Sequence, residues 1–172
     1  MEQTDDPLIS SLSFRVVIDD GFAVVRESIT TGRKSLFTTY PFQPGEVLCP
    51  FSAREILSEP SYLTVQIGVR QHITLQPEFL QYMNHSCAPN VFFDTQAMQV
   101  VCLEAIKPGD ELAFFYPSTE WDMAQPFVCE CGRPNCLQYI SGAAHLPPDI
   151  LQRYRLTDFI RQQMSHRKRL PA

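Results

Sequence analysis

The order of apolar and polar residues along the chain is mostly that of short strands. "FRVVIDDGFAVVRES" sets two Val-rich runs on either side of Asp20-Gly21, a hairpin signal. Further β-rich runs, "YLTVQIGV", "QHITL", "VFFDT" and "MQVVCLEAI", are separated by turn residues. Two segments echo one another: "FQPGEVL" at 42–48 and "IKPGDEL" at 106–112. Each centres on Pro-Gly followed by an acid and a strand, which predicts a type II turn. A single helical turn is expected from Pro77 through "EFLQYM". After "HLPPD" the period changes. Ile150, Leu151 and Tyr154 recur at helical spacing, and Thr157 is placed to cap a second helix carrying Phe159, Ile160 and Met164. The run "HRKRL" then puts positive charge at that helix's C-terminal end, where the dipole favours it. The same run has the composition of a nuclear-localisation or anionic-partner patch. No long linker interrupts the pattern, so it predicts one β-rich domain with a helical C-terminal appendage.

Composition narrows the class. At 172 residues, 44% apolar and 19% charged, the chain is long and apolar enough to bury a core. No run approaches the roughly 18 apolar residues of a membrane span. "MEQTDDPLISSLSF" carries acids where a signal peptide carries bases, which predicts an intracellular protein. A net charge of −5 disfavours broad nucleic-acid binding and is compatible with a basic protein partner.

Cysteine usage brings in chemistry. In an intracellular chain, the six cysteines are expected as metal ligands or small buried groups rather than disulfides. Cys49 and Cys102 sit alone inside apolar stretches and read as core residues. Cys129, Cys131 and Cys136 form C-x-C-x4-C in "CECGRPNC", with Gly and Pro turning the backbone between them. Structural zinc takes four ligands in a tetrahedron. Three are in hand, and Cys87 is the exposed-looking candidate for the fourth.

Cys87 belongs to "NHSCAPN" at 84–90, which gathers an amide, an imidazole, a hydroxyl and a thiol. A metal site, a nucleophile with its base and an awkward loop all fit that composition. A nucleophilic Cys87 with His85 as base is disfavoured, because residues at i and i+2 seldom face each other productively and no orienting acid is near.

"NHSCAPN", then "PGDELAFFYP" at 108–117, then "CECGRPNC" at 129–136 resemble, in order and spacing, three motifs of the SET-domain protein-lysine methyltransferases, the last being the post-SET zinc motif. A looser match, "GRKSLFTTYPFQPGEVL" at 32–48, resembles the family's N-terminal cofactor segment, with Ser35 where its second glycine stands. The resemblance implies a mainly β SET fold of several small sheets with a pseudoknot. It divides the chain into a SET domain at 12–118, a post-SET zinc segment at 119–142 and a helical tail at 143–172.

It also implies roles. S-adenosylmethionine would be bound by Gly32, Lys34, Ser35, Leu36, Asn84, His85 and Tyr116, largely through backbone groups in "NHSC". Cys87 would point the other way and join Cys129, Cys131 and Cys136 on one structural zinc. Tyr116 matches the catalytic tyrosine, Phe114 matches a residue lining the lysine channel, and Tyr62 resembles a further channel tyrosine. Alternation along "FFYP" puts Phe114 and Tyr116 on one face.

The implied function is methyl transfer from S-adenosylmethionine to the ε-amine of a protein lysine, adding two or three methyls. The alternative is a catalytically weak, SET-like zinc-containing interaction module. The implied partner is a lysine-bearing protein, a histone or another basic protein among the candidates, with neither membrane nor sequence-specific nucleic acid expected. Location would be nuclear in a eukaryote and cytoplasmic in a bacterium. The insert on which many relatives build selectivity is very short here, so the resemblance stops at protein lysine.

Overall fold

The computed structural model of the chain describes residues 13–169. The acidic N-terminal segment 1–12 and the end of the basic "HRKRL" run lie outside the described residues. The fold is mainly β, in several small sheets with few helices.

The first sheet holds β1 (Phe14–Asp20), β2 (Ala23–Ser28) and β3 (Lys34–Thr38) in the order β1-β2-β3. The hairpin expected at Asp20-Gly21 forms one residue later, because Asp20 pairs with Ala23 and the two loop residues are Gly21 and Phe22. Gly21 takes φ +61°, the left-handed value a glycine-first two-residue loop requires.

A second sheet has β4 (Val47–Pro50) beside β10 (Gln99–Cys102), which also pairs with β9 (Val91–Asp94). A third has β7 (Gln71–Gln76) between β5 (Ser52–Leu57) and β6 (Val65–Gly68). Glu78–Tyr82, just after Pro77, forms a 3-10 turn where a helical turn was expected.

The two echoing segments are turns of one design. Gly45 and Gly109 have φ +89° and +91°. Glu46 N–H bonds Gln43 carbonyl at 3.0 Å, and Asp110 N–H bonds Lys107 carbonyl at 3.1 Å. In each, the acid's side chain reaches back to accept the backbone N–H three residues earlier, at 2.7 Å for Gln43 and 2.8 Å for Lys107. The turns also face each other, since Phe42 and Ile106 exchange backbone hydrogen bonds of 3.0 and 2.9 Å.

Two short pairings carry the functional segments. β8 (Asn84–His85) lies parallel to β11 (Ala113–Phe114), joining "NHSC" to "FFYP". β12 (Phe127–Val128) pairs with β13 (Tyr139–Ile140) across the cysteine-rich loop. The C-terminal helices are α1 (Pro148–Leu151) and α2 (Asp158–Arg169). Thr157 caps α2 as expected, its hydroxyl accepting Ile160 N–H at 3.4 Å. No helix among the described residues is long and apolar enough to cross a membrane.

Three apolar clusters result. The main core packs Leu36, Ile73, Phe93, Val100, Leu112 and Phe114 among others. A second gathers Phe115, Ala143, Leu151, Leu156, Phe159 and Ile160. The third surrounds Cys87, Cys129 and Ile140. Cys102 is buried in the main core, whereas Cys49 is half-buried beside it. Burial lifts the Cys49 thiol to about 11, so it stays protonated.

Candidate active site and metal cluster

The three consecutive rings of "FFY" divide between two sides. Phe114 packs into the main core, 4.8 Å from Phe93 and 4.7 Å from Tyr116 between ring centroids. Phe115 points away and stacks on Tyr154 at 3.6 Å with the rings nearly parallel. Tyr116 begins a 3-10 turn (Tyr116–Ser118), so its ring reaches the cysteine cluster as well as Phe114. Alternation places Phe114 and Phe115 on opposite sides, and Tyr116 returns to the side of Phe114 as expected, both rings lining one cavity.

The Tyr116 hydroxyl donates to the Met83 carbonyl at 3.1 Å. Burial, with Glu120 nearby, pushes its pKa well above the ordinary phenol range. Its oxygen lone pairs remain available to a donor in the cavity beside it. That cavity is about 610 Å³, within the roughly 300–1,000 Å³ of small-ligand sites. Its wall includes Arg33, Ser35, Tyr62, Asn84, His85, Glu111, Phe114, Tyr116, Glu120, Phe127, Cys129 and Cys131. Tyr62 stands outside the strands on the rim, 69% exposed.

Of the other residues expected at the cofactor, Gly32, Lys34 and Leu36 are not in this wall. Gly32 makes the β2–β3 turn at φ +68°, and its N–H bonds the Ser28 carbonyl at 2.8 Å. Lys34 lays its ammonium over the Tyr82 ring at 4.9 Å, and the Leu36 side chain is buried in the main core. Asn84 ties this segment to the crossing strand: its amide donates to Ser35 Oγ at 2.8 Å, Lys34 carbonyl at 3.2 Å and Glu111 Oε1 at 2.9 Å. Ser35 thus holds Asn84 through a side chain, which a glycine could not do.

His85 lies between the two halves of the site. Its Nδ1 accepts Tyr116 N–H at 3.2 Å, which leaves the neutral ring's proton on Nε2, 3.3 Å from Cys87 Sγ. Burial pushes the imidazole down to about 4, so it is neutral at pH 7. The expectation that residues 85 and 87 would not meet is therefore wrong. The strand ends at His85, and the bend at Cys87–Ala88 brings the thiol back to the ring.

Cys87, expected to be exposed, is fully buried. Its sulfur and those of Cys129, Cys131 and Cys136 all lie within 4.8 Å of one another. Cys87 and Cys129 are 4.0 Å apart, close to the roughly 3.8 Å edge of a sulfur tetrahedron drawn at the Zn–S length of 2.3 Å. The donor set therefore fits a structural zinc. Burial raises Cys87 and Cys129, whereas Cys131 falls to about 7. Burial opposes that fall, but N–H groups of Cys87 and Arg133 and the neighbouring thiols donate to the Cys131 sulfur.

Among the wall residues that the sequence did not single out is a buried acid. Glu120 is 7% exposed, and its Oε1 accepts Gln66 N–H at 2.9 Å and the Thr119 hydroxyl at 3.0 Å. Burial lifts its carboxyl to about 7 against those two bonds. A lone acid after "YPST" reads as a surface residue, and the Gln66 N–H that binds it belongs to β6, far away in sequence.

Comparison with known proteins agrees with the motifs. Residues 33–117 match the family model described as SET domain. The methyltransferase flvH of Aspergillus flavus is 42% identical over 107 residues, 61% of this chain and 60% of that protein. The "Histone-lysine N-methyltransferase, H3 lysine-36 specific" of Debaryomyces hansenii is 32% identical over 87 residues, 44% of this chain but 12% of its own. Its Schizosaccharomyces pombe counterpart is 33% identical over 87 residues, 47% of this chain and 11% of its own. The chain thus spans less than two thirds of the length of these relatives. The solved methyltransferase domain of human PR domain-containing protein 2 aligns at TM-score 0.40 with 21% identity, over 57% of this chain and 78% of that one. The segment 33–117 is a SET domain, and its motifs meet the cysteine-rich loop around one cavity.

Proposed function

We propose that the protein methylates the ε-amine of lysine in a protein substrate, with S-adenosylmethionine as donor. The observation that carries this reading is the convergence of Tyr116, Phe114, Asn84 and His85 on one cavity, hard against the four-cysteine cluster. The relatives' printed names, methyltransferase and histone-lysine N-methyltransferase, support it.

A lysine ammonium has no lone pair, and neutralising it at pH 7 costs about 4–5 kcal/mol in water, given its pKa of about 10.4. Apolar walls lower that cost by disfavouring the charged form. Phe114 and Tyr62 supply such walls. S-adenosylmethionine contributes an electrophilic methyl on a cationic sulfur. Arg33 and Glu111 offer the two charges that suit the carboxylate and ammonium of its amino-acid end. Asn84, fixed by Ser35 and Glu111, holds the backbone of β8 against the donor. Tyr116 presents its hydroxyl oxygen to the amine and keeps donor and acceptor on one axis, the main entropic part of a displacement.

One zinc at Cys87, Cys129, Cys131 and Cys136 would be structural, since four sulfurs leave no position for water. Phe114 lacks the hydroxyl that could fix the amine in one orientation, which favours two or three additions over one.

Incubation with labelled S-adenosylmethionine and either core histones or an array of lysine peptides tests the reading. Label should appear on lysine and vanish in arginine-substituted peptides. Tight zinc binding without labelling of any lysine would leave an interaction module instead.

A further inference from the structure

An amine must shed a proton before it can attack, and the groups placed so far at the reacting centre cannot take it. Tyr116 spends its own hydrogen on the Met83 carbonyl. Both ring nitrogens of His85 are engaged, one by Tyr116 N–H and one at Cys87 Sγ. Glu111 is exposed, and its Oε1 holds the Asn84 amide.

Glu120 is the remaining acid buried in the wall. It lies four residues after Tyr116, and its N–H bonds the Tyr116 carbonyl at 3.0 Å, so the two side chains are set by one turn. Its own carbonyl accepts Ala143 N–H at 2.9 Å, which fixes the backbone from the other side. Oε1 accepts two hydrogen bonds, while Oε2 makes none among the described residues. A carboxylate held this firmly, with one oxygen unclaimed in the wall of the cavity, has the geometry of a proton acceptor.

We propose that Glu120 Oε2 receives the proton of the substrate ammonium and is thereby a catalytic residue. The proposal rests on the lysine-methylating reading above. The ε-ammonium passes one proton to Oε2 and keeps the freed electron pair on nitrogen. That pair forms the N–CH3 bond as the S–CH3 bond breaks, and the breaking bond's electrons return to sulfur as a neutral thioether. The product is a methylammonium carrying the same charge as before, and Glu120 releases its proton to solvent at the rim, where Tyr62 and Gln125 are exposed. A further methylation repeats the cycle.

The carboxyl's value of about 7 suits a group that must both take and return a proton near neutrality. The other titratable or charged groups of this wall are Tyr62, Arg33, His85, Glu111, Tyr116 and Glu130, together with the cluster cysteines. Of these, Tyr116 is the one coupled electrostatically to Glu120, and it is neutral throughout the range. Burial thus sets the value, with Gln66 and Thr119 opposing.

Two measurements test this. In the first, wild type and Glu120→Gln are compared across pH 6–10 on a lysine peptide found by the array. Glutamine keeps the size and both hydrogen bonds through its oxygen but cannot take a proton. Wild-type kcat/KM should level off above about pH 7, whereas the variant should be at least about tenfold lower there and climb about tenfold per pH unit. Parallel profiles would overturn the proposal. In the second, the Glu120 carboxyl is titrated by carbon NMR in the zinc-loaded protein, its signal assigned by its loss in Glu120→Gln. Saturating n-butylammonium should lower the midpoint from near pH 7, and n-butanol should not. A midpoint that ignores the cation also overturns the proposal. A responsive Glu120 in a protein that labels no lysine would instead sink the methylating reading and leave the cation site standing.

Discussion

Tyr154 reaches from the C-terminal segment to donate its hydroxyl to the Cys87 carbonyl at 2.9 Å, while its ring lies flat on Phe115. Asn135 donates to the same carbonyl at 2.6 Å. One side chain therefore fastens the tail to the metal cluster and to the neighbour of Tyr116. Tyr154→Phe should cost about 1 kcal/mol, since Asn135 still satisfies the carbonyl. Tyr154→Ala should cost about 2–3 kcal/mol by losing the stacked ring as well. Chemical denaturation checks both, and equal losses for the two variants would deny the ring its part.

Removing one sulfur should empty the metal site. Cys131→Ser is expected to lose most of its zinc and to loosen residues 119–142, because metal affinity at such a site is local folding energy. Elemental analysis decides it: a full complement of zinc in the variant would break the four-sulfur assignment.

Tyr116→Phe should keep the fold and most affinity for S-adenosylmethionine while losing transfer by about a hundredfold or more. On the proposed reading only a hydroxyl at the reacting centre is removed, and small losses of alignment there are expensive. Calorimetry of cofactor binding beside a rate assay separates the two effects. Wild-type turnover would make Tyr116 a wall residue.

Phe114→Tyr places a hydroxyl in the channel wall without changing the ring, which packs between Phe93 and Tyr116. Its hydrogen bond to the amine should hold the lone pair away from a second donor. About 1.4 kcal/mol of that restraint shifts the rate ratio tenfold. Mass spectrometry of a peptide product should show di- or trimethyl-lysine for wild type and mainly monomethyl-lysine for the variant. A wild type that stops at one methyl would refute the role given to Phe114.

Gly142 holds the strand after the cysteine loop against the segment that carries Glu120. It sits at φ +114°, and a Cβ there would lie 2.5 Å from the Trp121 carbonyl oxygen. Gly142→Ala should cost about 2–4 kcal/mol through backbone strain and forced displacement. A change in the unfolding free energy below about 0.5 kcal/mol would show that the backbone can yield.

What the sequence disclosed follows from how local each signal is. The Pro-Gly turns were legible because Gly45 and Gly109 need positive φ at a fixed offset. Thr157 was legible because a cap acts three residues away. The four cysteines were legible because their order and spacing resemble a known motif, and the structure brings their sulfurs together. β5 was not, since its residues are mostly exposed and show no alternation. β12 and β13 are two residues each, too short for any period. Glu120 was invisible because one of its hydrogen-bond partners, Gln66, lies 54 residues away in sequence. The meeting of His85 with Cys87 was lost to a rule about neighbours that the bend after β8 does not obey.

The reach of the sulfur cluster along the chain has a consequence for the whole SET segment. Cys87 and Cys129 are 42 residues apart, and the chain between them carries β9, β10, β11 and Tyr116. An ion gripping both would act as a cross-link, closing that stretch into a ring. By the loop-entropy relation for cross-links, a ring of this size removes about 4 kcal/mol of freedom from the unfolded chain. The metal would then be a clasp on the stretch that carries Tyr116, its ring closing as the site folds.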